Sequence, residues 1–148
     1  MRFYGFGNYY LSSLQQGLQA GHAISRLYTR TQPGTEGFKI LHEWGNHHDT
    51  MVLLNGGNAL NLQELYDFFI DLKEKGMYLP FQKFHEDQQS LGGALTYVGM
   101  IVPERHYEAA AAIRTLRLDE VSQYYEVNEF AEWEIQLVER MNMYRLAS

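Results

Sequence analysis

Strand-like apolar runs and helix-patterned segments alternate over residues 2–102, and that alternation leaves few architectures open to the chain. Arg2 to Tyr10 is aromatic and glycine-broken and reads as a first strand, with Gly5 and Gly7 permitting close backbone approach. Thr50 to Leu54, Tyr78 to Phe84 and Ala94 to Val102 read as three more. A helix runs from Ser12 or Ser13 to about Tyr28. A second starts at an Asn61 cap, with Glu64 in the reciprocal position, and stops at Gly76. Pro103 opens a third, reaching about Arg114, and a last helix spans about Asn128 to Tyr144. The predicted order is β-α-β-α-β-β-α-α. It implies an α/β fold: a small mixed four-stranded sheet packed with helices, plus a C-terminal helical extension. Residues 1–115 form the α/β domain in this reading. Residues 116–148 form an acidic helical extension, packed on that domain or on a partner subunit. At 148 residues and 45% apolar content the chain can bury one core.

On the first helix Leu14, Leu18, Gly21, Ile24 and Tyr28 make one stripe, widened by Ala20, Ala23 and Leu27, and this is the expected buried face. Gly17, Ala20 and Gly21 would then let the helix lie close to its neighbour, although each glycine costs roughly 1 kcal/mol against alanine. Gln15, Gln19, His22 and Arg26 form a second row. It faces either solvent or one pocket beside the glycine-rich strand, where α/β sheets usually place ligands. Residues 29–49 are weakly patterned and read as a long loop with room for a short helical turn.

The formal charge of −6 is uneven: residues 119–148 hold seven acids and two bases, and residues 1–118 hold eleven and ten. No basic stripe is visible, so a large nucleic acid is disfavoured. Cysteine is absent, which removes disulfide and thiolate chemistry. His42, Glu43, His47, His48 and Asp49 are metal-ligand types, but their spacing matches no established motif, and no metal or cofactor is expected. No apolar run approaches the length of a membrane span, and nothing in Met1 to Gly7 suggests export. The expectation is a cytoplasmic protein without membrane contact.

Gly17-Leu-Gln-Ala-Gly-His-Ala23 resembles the first helix of the type II peptidyl-tRNA hydrolases, which carries a small-small-Gln-Cys-Ser-His-Ala pattern. The likeness continues in order. Trp44-Gly45 stands before the second strand, and Leu65 to Gly76 resembles a helix ending in glycine. Glu86-Asp87 sits near the place of the family's Asp-Ala-Gly-Arg-Thr segment, and Leu95 to Pro103 resembles its closing strand. Coverage is about residues 3–115. The resemblance implies the family fold, and places Gln19 and His22 on the family's glutamine and histidine and Asp87 on its late aspartate. The family's catalytic lysines fall on Ser13 and Gln15, and Asp87 is followed by Gln-Gln-Ser-Leu. Ester hydrolysis needs an activated water and a stabilised oxyanion, and serine and glutamine do not replace a positive charge there.

The leading expectation is therefore a binding protein, non-catalytic or catalytically degenerate, for a small anionic or nucleotide-like ligand, with a sequestering antagonist as one form of it. Its ligand residues would be Asn8, Tyr10, Gln15, Gln19, His22, Arg26, Trp44 and Asp87. The aromatics among them would stack on a planar group. Two alternatives remain: an ester hydrolase using Gln19, His22 and Asp87, and a protein-interaction module using the acidic tail and residues 29–49. Dimerisation through the tail helix is the second account of its apolar face.

Overall fold

The computed structural model describes residues 1–86 and 93–147. Four strands form one mixed sheet: β1 (Arg2–Asn8), β2 (Met51–Gly57), β3 (Phe81–His85) and β4 (Leu95–Val102), in the order β2-β1-β4-β3. β1 pairs parallel with β2, and β4 pairs antiparallel with both β1 and β3. The parallel pair needs a crossover, supplied by helices α1 (Ser13–Arg30) and α2 (Glu36–His47). Helix α3 (Ala59–Glu74) links β2 to β3. Helices α4 (Glu104–Ile113), α5 (Leu118–Val127) and α6 (Glu132–Met141) follow the sheet. The chain is thus α/β with a four-stranded mixed sheet, as the alternation of apolar runs predicts. No helix among the described residues is long and apolar enough to cross a membrane.

The two sheet faces carry different packing. Phe3 lies against Trp44 of α2 and reaches across Gly99 towards Ala23 of α1. On the opposite face Phe6 meets Phe69 of α3 and Tyr144 beyond α6. Gly5 and Gly7 do permit close approach: a methyl group on Gly5 would run into the Tyr97 ring, and one on Gly7 into the Gln16 amide. The tail is built into the body. Leu146 bridges antiparallel to Leu54, with Asn55 N–H donating to Arg145 O (2.9 Å) and Ala147 N–H to Leu53 O (2.9 Å). The end of the chain so covers the outer edge of β2, which would otherwise present unpaired backbone groups.

Several boundaries differ from the sequence expectations. Residues 36–47 are helical, not loop. Thr35 Oγ1 caps the helix by accepting from Phe38 N–H, and Ile40, Leu41 and Trp44 supply a buried face. Helix α5 is a further segment that sequence periodicity does not bring out. Its first turn is held by Arg117 N–H donating to Glu120. Asn58, not Asn61, caps α3: Asn58 accepts from Asn61 N–H and the Asn61 side chain answers Asn58 N–H, so Glu64 has no capping part. For α1 the structure selects Ser12 with Gln15 as the reciprocal pair.

The largest correction concerns the face of α1. Leu14 and Leu18 are 74% and 56% exposed, and nothing lies within 4 Å of where a side chain on Gly17 or Gly21 would begin. The buried row is Gln16, Gln19, Ala20, Ala23 and Leu27. Alanines let the helix settle on the sheet. Gln16 fits over Gly7, where a shorter side chain would leave a void.

Candidate functional site

Helix α1 runs alongside β3, an edge strand of the sheet; His22 and Arg26 of its polar row meet that strand, and Gln19 meets Glu86 just beyond it and Thr96 of β4. Gln19 is buried, and its amide N–H donates to Glu86 Oε2 at 2.7 Å while its oxygen accepts from Thr96 Oγ1 at 3.1 Å. Thr96 also donates towards Phe84 O (3.3 Å), and Glu86 N–H is held by Ala94 O (2.9 Å). His22 stacks on Phe84, the rings 4.5 Å apart and 7° from parallel. The Arg26 guanidinium lies 5.5 Å from the same ring, within cation–π range. Strand alternation explains the set: Gln82 and Phe84 pair with Gly99 and Tyr97, on the face that α1 covers.

Gln15 does not join them. It is exposed and committed to the helix cap through Ser12 N–H. Tyr10 is exposed beside Tyr9, with ring centroids 5.9 Å apart. Asn8 is buried; its amide N–H donates to Leu95 O (3.2 Å), its backbone carbonyl accepts from Gln16 Nε2 (3.3 Å), and its Oδ1 has no protein partner among the described residues. Trp44 is 5% exposed, packs on Phe3, and donates its indole N–H to Thr50 O (2.9 Å). Asp87 lies outside the described residues.

No family model matches this chain, and no curated protein matches it in sequence.

The seam has a limited chemical repertoire. One Gln19 amide N–H and its oxygen are occupied by Glu86 and Thr96, so the side chain is a fixed strut with one N–H to spare. No lysine reaches the seam: Lys83 extends from the other face of β3, where its Nζ is 4.7 Å from the Tyr66 ring and 3.4 Å from Gln63 Oε1. Glu86 was legible only as a polar neighbour of Asp87, and Thr96 gave no signal, because its partner Gln19 is 77 residues away.

The histidine-rich segment is dispersed by its helix. His42 packs on Phe38 and Tyr28, whereas His48 Nδ1 faces the N-terminal amine (3.4 Å) and its Nε2 is 4.0 Å from Glu43 Oε1, the one contact within the set among the described residues. The tightest titratable cluster lies elsewhere, where α4 meets α6. Glu134 Oε2 accepts from Arg105 Nε (2.8 Å) and sits 2.6 Å from His106 Nε2, and Oε1 accepts from Ala131 N–H (3.0 Å). Burial pushes the His106 pKa down, outweighing the attraction of Glu134. Burial pushes Glu134 up, but hydrogen bonds from Arg105, Ala131 N–H and His106 outweigh it and hold the carboxyl at about 2. This cluster clasps two helices.

Proposed function

We propose that the chain is a binding protein for a small anionic or nucleotide-like ligand, received along the seam between α1 and β3. The observation that carries this reading is Arg26: it sits beside the stacked His22–Phe84 pair and forms no ion pair among the described residues. A guanidinium next to flat rings suits an anion carried on a planar body. The scaffold is proposed to be of the type II peptidyl-tRNA hydrolase kind. In support, a buried glutamine of the first helix touches a threonine at the start of the last strand. The family combines a helix glutamine with an aspartate–threonine segment in that region. The missing lysines favour binding over turnover.

Titration calorimetry with adenosine monophosphate tests the reading. Arg26→Ala should lower affinity about tenfold, the worth of one charge-assisted contact, with little change in melting temperature. Unchanged affinity, or no binding at millimolar nucleotide, would remove the seam as a ligand site. A second reading, ester hydrolysis, is favoured by the short Gln19–Glu86 contact, which positions a carboxylate to activate water. Turnover of an N-acetyl-aminoacyl ester, abolished in Glu86→Gln, would replace the first reading.

A further inference from the structure

A second concavity lies away from the seam residues. A cavity of about 550 Å3 opens between the end of α1, the start of α2, the second half of α3 and the segment leading into β3. That size falls within the roughly 300–1,000 Å3 of small-molecule sites. Met77 and Leu79, both buried, and Phe81 supply apolar surface. Tyr66 and Tyr78 line it as well, and Tyr78 is half exposed with its ring held edge-on by Trp133. Two cations from different helices complete the lining, Arg30 of α1 and Lys73 of α3. Neither forms an ion pair among the described residues, whereas Lys75, two residues on, is paired with Asp71 at 3.2 Å. The one acid of the lining, Glu36, has Lys39 Nζ 3.7 Å away.

We infer that this cavity binds an aromatic anion, a phosphate monoester or carboxylate on a flat ring, with Arg30 and Lys73 holding the charged group and the tyrosines and apolar surface holding the ring. The argument is one of matched parts. Two cations on the cavity wall, from two different helices and without an ion pair among the described residues, supply charge-assisted donors, and arginine adds a planar fork for two anion oxygens. Apolar and aromatic surface beside them rewards a flat body over a bare ion. None of the seven described residues expected from sequence lines this cavity, so the inference goes beyond the seam reading and can fail or hold without it.

Phenyl phosphate is the probe, with inorganic phosphate and phenol as its separate halves, titrated into the full chain and followed by calorimetry and by amide chemical shifts. Phenyl phosphate should bind clearly more tightly than either half and shift the amides of Tyr66, Lys73 and Tyr78. Arg30→Gln and Lys73→Gln should each weaken it roughly tenfold, and Arg30→Lys should restore part of the loss. Both side chains are exposed, so melting temperatures should hold. Arg26→Ala is the control and should leave the shifts at Tyr66, Lys73 and Tyr78 unchanged, whatever it does to binding at the seam. Absence of those shifts at millimolar phenyl phosphate would overturn the inference. So would shifts at those amides that survive Arg30→Gln with Lys73→Gln, or that vanish in Arg26→Ala alone, which moves the ligand to the seam.

Discussion

Replacing Glu134 with glutamine tests how the C-terminal helices are locked to the body. The carboxylate is 11% exposed at its side chain and faces Arg105, His106 and the Ala131 N–H within one turn. Its pKa falls from 4.5 to about 2 on folding. That shift corresponds to about 3 kcal/mol in favour of the charged form. Glutamine keeps the shape and can still accept from Ala131 N–H, but its NH2 would face the donors of Arg105 and His106. His106 could turn its Nε2 into an acceptor only by moving the proton to Nδ1, which is buried without a partner among the described residues. The expected loss at pH 7 is therefore about 2–3 kcal/mol, or roughly 5–10 °C in melting temperature for a chain of this size. Glu134 has a depressed folded pKa, so its contribution is complete above 4.5, the unfolded value, and is lost as pH falls towards about 2. The difference between wild type and variant should narrow over that window. His106 is also depressed by burial. Below about pH 6.5 the unfolded chain takes up its proton first, and stability declines with falling pH in both proteins. Urea unfolding followed by circular dichroism from pH 7 to pH 3 measures both effects. A loss below about 0.5 kcal/mol at pH 7, the scale of an ordinary surface change, would refute the clasp, as would a difference that stays constant with pH.

The packing of α1 can be checked by opposing substitutions: Leu27→Ala should cost about 2–5 kcal/mol in urea unfolding, and Leu18→Ser should stay within about 0.5 kcal/mol. Thr35→Ala removes the cap of α2 and should lose about 1 kcal/mol. Gly5→Ala places a methyl group against the Tyr97 ring, with ring carbons at 2.6 and 2.8 Å, and should destabilise by about 1–3 kcal/mol. Tyr97→Phe deletes a buried hydroxyl with no protein partner among the described residues and should be neutral or stabilising by about 1 kcal/mol. A thermal melt showing a comparable loss would reveal a bonded hydroxyl.

The central strands announced themselves because they are buried on both faces, so β4 reads as an apolar run broken only by Thr96, and all eight of its residues are buried. Their order could not be read, since the antiparallel insertion of β4 between β1 and β3 leaves no local trace. Helix α2 was hidden by its surroundings. Pro33 and Gly34 precede it, two histidines and two glycines dilute it, and only Ile40, Leu41 and Trp44, behind the Thr35 cap, carry its period. The C-terminal boundary was blurred for a similar reason, because the polar clasp at Glu134 does the joining that a run of leucines would have advertised.

Helix α1 shows most clearly how tertiary context overrides a local pattern. Its leucines at 14 and 18 look like the inner stripe, yet the sheet beneath has lost its own side chains at Gly5, Gly7 and Gly99. The hollows over Gly5 and Gly99 are filled from within the sheet, by Tyr97 and Phe3, and the hollow over Gly7 is filled from α1 by Gln16. Once Gln16 is committed there, helical spacing turns Gln19, Ala20, Ala23 and Leu27 inward and leaves Leu14 and Leu18 to solvent. The same rotation carries Gln19 to Glu86 and Thr96 and sets His22 and Arg26 on Phe84, while Gln15 stays at the cap. Glycines in a strand therefore decide which residues of the following helix can meet at the seam. A sequence pattern read on the helix alone had no access to that choice.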